Sequence, residues 1–326
     1  MKARFRVVNI DGTDFDYYEP ERKRIEAAGA EFVLQRSDTE EAVIAACREA
    51  DVVLVERTSR PFTRRMMAAL PRCRGIMACA TGYDGIDVAA ATALGIVVCN
   101  APDCSSEDVG DHTAALILAS TRRILAMNQT ARSGVFRFPI PGLRRLSALT
   151  LGLIGLGRIA RAVAKRMAGF GVRMIAVVHH PETTPGEPGV TFVTLDQLLR
   201  ESDIVSIHLP LTPETKGLIG EAALRQMKPT AILVNTGRGL IVDQDALVRA
   251  LQEKRLAGAA LDVMAQEPLP PTSPLAALDN VILTPHYGGV SEESELDLHE
   301  RTAQSVEALL RGEWPPFPVN RPARRR

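Results

Sequence analysis

Three polar residues each follow a short apolar run by a few positions. Arg238 lies in Val234-Asn235-Thr236-Gly237-Arg238-Gly239, Glu267 in Leu261-Asp262-Val263-Met264-Ala265-Gln266-Glu267-Pro268, and His286 in Leu283-Thr284-Pro285-His286-Tyr287-Gly288-Gly289. Together they suit carbonyl reduction. Reducing a 2-keto acid requires a hydride at the carbonyl carbon and a proton at its oxygen. A guanidinium can hold the carboxylate with a forked pair of hydrogen bonds and polarise the carbonyl. An imidazole titrates near working pH and can give the proton. A carboxylate beside it favours the protonated ring. Each residue alone has an ordinary reading as a loop salt bridge, a solvated acid or a turn histidine; their joint placement carries the argument.

A hydride donor is implied further upstream. Gly155-Leu156-Gly157-Arg158-Ile159-Ala160 is a G-x-G-x-x-A turn, entered from an apolar run and leading into a helical pattern. Gly155 permits a tight turn, Gly157 lets a pyrophosphate approach the backbone, and Ala160 allows close helix–strand packing. The helix N-terminus then offers free N–H groups to the phosphates. A glycine triplet alone is weak evidence, but the strand–turn–helix context is its confirming condition. Dinucleotide units usually carry an acid at the end of the next strand to hold the ribose. Here that strand runs into Val178-His179-His180-Pro181, with no acid and no arginine to clamp a 2′-phosphate. NAD and NADP both stay open. Zinc at His179 and His180 is not expected, because neighbours on an extended segment point to opposite sides.

These residues need a scaffold that gathers strand ends. Apolar, β-branched runs at 5–10, 52–55, 75–79, 97–99, 151–154, 174–178, 204–207, 231–234, 258–261 and 281–283 alternate with helical patterns at 21–28, 88–94, 158–170, 243–253 and 293–310. Such alternation predicts parallel sheets with helices on both faces. Ligands of such sheets bind beyond the carboxyl ends of the strands, where the three polar residues fall. The runs form two series that join near Asn100-Ala101-Pro102, with one long helix expected over 107–132 and a Pro/Gly loop at 138–142. The tail Arg321-Pro322-Ala323-Arg324-Arg325-Arg326 reads as disordered.

The bulk numbers agree with a small-molecule enzyme. The chain has 326 residues, 46% of them hydrophobic, and Lys plus Arg balances Asp plus Glu at 39 each. Zero net charge gives no global attraction to nucleic acid or an anionic membrane. No apolar run is long enough for a membrane span, and none of signal-peptide length follows the start. Five cysteines, Cys47, Cys73, Cys79, Cys99 and Cys104, sit among apolar neighbours without a C-x-x-C pair. They read as reduced thiols of a cytoplasmic protein, and no metal site is expected.

With these motifs in place, the chain resembles the D-isomer-specific 2-hydroxyacid dehydrogenase family, which includes D-3-phosphoglycerate dehydrogenases and glyoxylate/hydroxypyruvate reductases. The resemblance spans nearly the whole chain. It rests on Ala80-Thr81-Gly82-Tyr83-Asp84-Gly85-Ile86-Asp87, the 155–160 turn, His208-Leu209-Pro210-Leu211-Thr212, the 235–239 segment, Asp262 with Glu267-Pro268, and the 284–289 segment. It implies that Arg238, Glu267 and His286 are catalytic, and that Gly82 and Tyr83 join Arg238 and His286 in binding substrate. It implies cofactor contacts from Gly155, Gly157, Arg158, Ile159, Val178, His179, His180, Leu209, Pro210, Thr236, Gly237, Asp262, Gly288 and Gly289. Asp262 would bond the nicotinamide carboxamide or hold Arg238. The family's ribose acid falls at Val178, which leaves NAD preference open.

The implied fold is α/β, with two doubly wound parallel-sheet domains. A Rossmann NAD(P)-binding domain over 101–286 is inserted in a flavodoxin-like substrate domain made of 1–100 and 287–326. A homodimer through the region 105–145 is implied. The expected activity is hydride transfer between NAD(P)H and a small 2-keto acid to give the D-2-hydroxy acid. The alternative is a nucleotide-sensing interaction protein of the C-terminal-binding-protein type, whose members keep the same three residues. Formate dehydrogenases are disfavoured, because they resemble this chain but carry Gln where Glu267 stands. Pocket walls are expected from Glu56-Arg57-Thr58-Ser59-Arg60 and from Gly82 and Tyr83. Arg57 or Arg60 would suit a second anionic group on the substrate.

Overall fold

The computed structural model describes residues 4–56, 61–136, 140 and 142–326. Arg57, Arg60 and most of the expected 138–142 loop lie outside the described residues. The chain forms two compact units, one of Met1–Ser105 with Ser291–Arg326 and one of Ser106–Val290.

The first unit runs β1 (Phe5–Asn9), α1 (Glu19–Ala27), β2 (Ala30–Leu34), α2 (Glu40–Cys47), β3 (Val52–Val55), α3 (Arg64–Ala68), β4 (Gly75–Ala78), α4 (Val88–Ala93) and β5 (Val97–Cys99). Its five strands are parallel in the order β2-β1-β3-β4-β5, the flavodoxin-like order. Apolar clusters cover both faces. Val8, Val53 and Ile76 point to one, and Val7, Leu54 and Met77 to the other.

The second unit begins with α5 (Ser106–Thr121) and α6 (Ile124–Arg132). It continues through β6 (Thr150–Ile154), α7 (Arg158–Ala168), β7 (Arg173–Val177), β8 (Val190–Phe192), α8 (Leu195–Glu201), β9 (Ile204–Ile207), α9 (Glu221–Gln226), β10 (Ile232–Asn235), α10 (Gln244–Gln252), β11 (Gly258–Leu261) and β12 (Val281–Leu283). Seven parallel strands lie in the order β12-β11-β10-β9-β6-β7-β8, a Rossmann arrangement whose direction of winding switches between β6 and β9. β6 is buried along its whole length. A side chain at Gly152 would stand 2.2 Å from Ser202 Oγ and 2.7 Å from Leu198, so only glycine lets α8 lie this close. The chain then returns to the first unit as α11 (Glu292–Arg311).

Three expectations are corrected. The single helix over 107–132 is two helices, broken where Arg123 adopts a left-handed φ of 52°. Before the break α5 buries Gly110, Thr113, Ala114, Leu116 and Ile117; after it α6 buries nothing. The chain turns once there is no apolar face left to cover within its own unit. The tail is also ordered. Arg321 and Arg325 lie over the Trp314 ring at 5.2 and 4.5 Å, and Arg326 N donates to Gly95 O at 3.0 Å. Cation–π contacts with the lone tryptophan and one backbone bond tie down a segment that polarity alone marks as loose. Edge strands β2 and β8 add to the list read from the sequence. All five cysteines are free, and burial pushes the Cys73 and Cys99 thiols up to about 12, too high for nucleophiles.

Candidate active site

The glycine turn sits at the carboxyl end of β6. Gly155 has φ +93°, and its N–H donates to Val177 O at 2.9 Å, tying the turn to β7. A Cβ on Gly155 would meet His208 O at 2.8 Å, so a larger residue is excluded by backbone conformation and by contact. Gly157 caps α7, and nothing lies within 4 Å of where its Cβ would be. Ala160, in the first turn of α7, is fully buried. The helix start is therefore open where a pyrophosphate needs to reach backbone N–H groups, so the residues present fit a dinucleotide. Arg158 and Ile159 form the first turn, exposed and half-buried.

Leu209 and Pro210 follow β9, and Leu209 Cδ2 lies 2.9 Å from the Cβ position of Gly155. His208, not singled out beforehand as a site residue, shares a 2.9 Å hydrogen bond between Nε2 and Ser206 Oγ. Burial pushes its imidazole down to about 4, so it stands neutral beside the turn. Thr236 is buried and bonds Thr113 Oγ1 at 2.8 Å. Gly237 fits against β9, where a Cβ would lie 3.3 Å from the carbonyls of Ile207 and Leu209.

At the end of β7, Val178 is half-buried, and His179 and His180 are exposed. Their rings meet edge to face with centroids 4.2 Å apart. The expected divergence of the two side chains does not occur, because the chain has left the extended strand after Val177. Among the described residues no cluster of three or more metal-binding side chains forms.

The three catalytic candidates follow β10, β11 and β12, which are consecutive neighbours in the sheet. Asn235 shapes the first loop. Its Oδ1 accepts from Gly237 N at 3.0 Å, and its Nδ2 donates to Arg238 O at 2.9 Å. Arg238 Nη1 donates to Gly237 O at 2.9 Å. A Cβ on Gly239 would overlap the Met264 carbonyl at 2.0 Å, so the loop after β10 lies flush on the loop after β11. That contact, invisible in the pattern, brings the Arg238 segment to the Glu267 segment.

Glu267 Oε1 accepts from Met264 N at 2.9 Å, and His286 Nδ1 donates to Glu267 Oε2 at 2.7 Å. His286 has a left-handed φ of 55°, and its N–H donates to Thr284 O at 3.0 Å. The hydrogen bond to Glu267 raises the His286 pKa, helped by the charges of Glu267 and Asp262 and opposed by burial and Arg238. Burial pushes Glu267 upward, but the hydrogen bonds from His286 and Met264 N–H, with the positive charges of His286 and Arg238, leave it lowered. Both shifts describe an imidazolium–carboxylate pair under the field of Arg238. With Nδ1 held by Glu267, Nε2 is the nitrogen that can hand over a proton.

Asp262 is buried behind this pair. It accepts from Thr284 Oγ1 at 2.6 Å, Gly288 N at 3.0 Å and Tyr287 N at 3.2 Å. His112 on α5 closes the network, 3.1 Å from Thr284 Oγ1 and 3.5 Å from Asp262 Oδ1. A Cβ on Gly288 would stand 2.8 Å from His112 Cδ2 and 2.9 Å from Asp262 Oδ2, so this position must stay glycine for the turn to close. Gly289 follows, half-buried. Asp262 thus holds the turn that carries His286, a role beyond the cofactor contact expected of it. His112 was missed, since nothing in a helical pattern marks one histidine as reaching a strand end 172 residues away.

Gly82 and Tyr83 lie in the first unit, in the loop after β4. Tyr83 O accepts from Ile86 N at 3.0 Å, and Asn100 Nδ2 donates to Thr81 O at 2.7 Å. Tyr83 is 39% exposed.

The family model of the D-isomer specific 2-hydroxyacid dehydrogenase NAD binding domain matches residues 114–288. A glyoxylate reductase of Korarchaeum cryptofilum is 42% identical over 287 residues, 86% of this chain and 86% of that protein. Among solved structures, a D-lactate dehydrogenase of Aquifex aeolicus complexed with NAD and lactic acid superposes with TM-score 0.86 at 27% identity, covering 98% of this chain and 100% of that one. An NADPH-dependent glyoxylate/hydroxypyruvate reductase of Sinorhizobium meliloti, complexed with citrate, gives TM-score 0.82 at 29% identity, covering 99% and 100%. The chain belongs to the D-isomer-specific 2-hydroxyacid dehydrogenases, enzymes that move a hydride between a nicotinamide cofactor and a 2-keto or D-2-hydroxy acid.

Proposed function

We propose that this enzyme reduces a small 2-keto acid of the glyoxylate or hydroxypyruvate type, with Arg238, Glu267 and His286 as its catalytic residues. The observation that carries the reading is the 2.7 Å Glu267–His286 pair under the charge of Arg238, at neighbouring strand ends of the sheet that also bears the glycine turn. A bound nicotinamide supplies the hydride. Arg238 holds the substrate carboxylate and polarises the carbonyl. His286 Nε2 gives its proton to the carbonyl oxygen, and Glu267 keeps the ring charged and oriented until it does so. Gly155, Gly157, Arg158, Ile159, Leu209, Pro210, Thr236, Gly237, Gly288 and Gly289 hold the cofactor. Gly82 and Tyr83 of the first unit hold the substrate carboxylate through their backbone.

The working form is read as a homodimer in the cytoplasm. α6 and the segment after it carry Ile124, Leu125, Val135 and Phe136, all exposed, Phe136 to 94%. Exposed apolar side chains at both ends of one helix that buries nothing suit an interaction surface. Free cysteines suit a reducing compartment, and no helix among the described residues is long and apolar enough to cross a membrane. The test uses the purified full chain. Sedimentation should report two chains per particle. A panel of 2-keto acids with NADH and NADPH should give fastest turnover on glyoxylate or hydroxypyruvate. A monomer would refute the dimer, and turnover of none of the panel would refute the substrate assignment.

A further inference from the structure

The end of β7 departs from the usual ribose site in a way that selects a cofactor. β7 pairs with β6 on the side away from β9, and the glycine turn is bonded to it through Gly155 N and Val177 O at 2.9 Å. In dinucleotide units this strand end meets the adenosine ribose, where an acid binds the 2′-hydroxyl of NAD and repels a 2′-phosphate. Val178, His179 and His180 occupy it here. Val178 takes the acid's own position, and directly after it two exposed imidazoles with centroids 4.2 Å apart present N–H donors.

The surrounding charges point the same way. Glu187, on the loop after β7, is bound to Arg161 of α7 at 2.7 Å, and Arg161 also donates to Pro185 O and Gly186 O. That acid is neutralised and its loop is pinned to α7. Glu182 lies 3.5 Å from His180 Nδ1, with both side chains about two-thirds exposed. Such a long, solvated contact is weak and gives way to a doubly charged anion. Arg158, at the exposed start of α7, adds a cation on the same edge of the sheet.

We propose that this strand end is a 2′-phosphate site built from His179 and His180, so that the enzyme uses NADP(H) in preference to NAD(H). The proposal rests on the dinucleotide reading of the glycine turn and deepens it. Calorimetry on the full chain with adenosine 2′,5′-bisphosphate and with 5′-AMP tests it without turnover. The wild-type protein is expected to bind the bisphosphate about tenfold or more tightly than AMP, the gain of hydrogen bonds to a charged group. His179→Ala with His180→Ala should bring the ratio to within about threefold, chiefly by weakening the bisphosphate. The ratio of kcat/KM for NADPH over NADH should fall in parallel. Equal or weaker binding of the bisphosphate by the wild type, or an unchanged ratio in the double variant, would overturn the proposal. Binding of neither nucleotide would overturn it together with the dinucleotide reading beneath it, whereas AMP binding alone would leave that reading standing.

Discussion

Replacing His286 by alanine is expected to lower kcat for keto-acid reduction by about 10²–10⁴-fold, the usual contribution of a positioned general acid. The cofactor's Kd should stay within about twofold, because what is removed is the proton, not the cradle. The proposed cradle comprises the 155–160 turn, the segments after β9 and β10, and Gly288 and Gly289. The close approaches and hydrogen bonds that shape it at Gly155, Gly237 and Gly288 do not use the His286 side chain. Steady-state kinetics and calorimetry on one preparation separate the two quantities. Glu267→Gln should cost less than His286→Ala, since the imidazole remains. The double variant should be little worse than His286→Ala alone, because paired residues act as a unit. Turnover surviving His286→Ala within a few-fold would remove it from the mechanism.

Arg238→Ala is the second large effect. A guanidinium serves the substrate in the ground state through its carboxylate and the transition state through the developing oxyanion. Its loss should raise KM and lower kcat together, with kcat down by about 10²–10³-fold. Arg238→Lys should recover only part of this, since a lysine keeps the charge but not the planar fork. The loop should survive both changes. It is held by Asn235 through the Arg238 carbonyl and the Gly237 N–H, and by the contact of Gly239 with Met264, whereas the bond from Arg238 Nη1 to Gly237 O is the loop contact that depends on the guanidinium. Melting temperature and cofactor affinity therefore serve as controls. A selective loss of cofactor affinity with unchanged KM for the keto acid would reject the assignment.

Much of this architecture was legible in the residues because interior parallel strands announce themselves. β6, β9, β10 and β11 are covered on both faces, or nearly so, and read as predominantly apolar runs, with Ser206 inside β9 and Asn235 closing β10. The edge strands β2 and β8 do not, whereas the edge strands β5 and β12 fall in the runs at 97–99 and 281–283. β2 exposes Glu31, and β8 has three residues, none fully buried, after a Pro-Gly turn. The sequence predicts one helix over 107–132 because helical propensity continues through Arg122 and Arg123, while burial stops there. At the site, residue types at strand ends were visible, but the contacts that align them were not. The 2.0 Å overlap that forbids a side chain at Gly239, and the reach of His112 to Thr284, depend on how distant loops meet. The resemblance implies that Asp262 bonds the nicotinamide carboxamide or holds Arg238. Its oxygens also accept from the backbone of the turn that aims His286, a link that no motif announces.

The pH dependence of kcat/KM for reduction tests the central claim most directly. His286 must be protonated to act, and its pKa is raised by Glu267. Activity should therefore hold below that raised value and fall about tenfold per pH unit above it, and the reverse oxidation should show the opposite limb. In Glu267→Gln the raising hydrogen bond to a charged carboxylate is gone, so the descending limb should move to lower pH. A limb that stays where it is in Glu267→Gln, or a wild-type reduction rate that climbs with pH, would contradict the account.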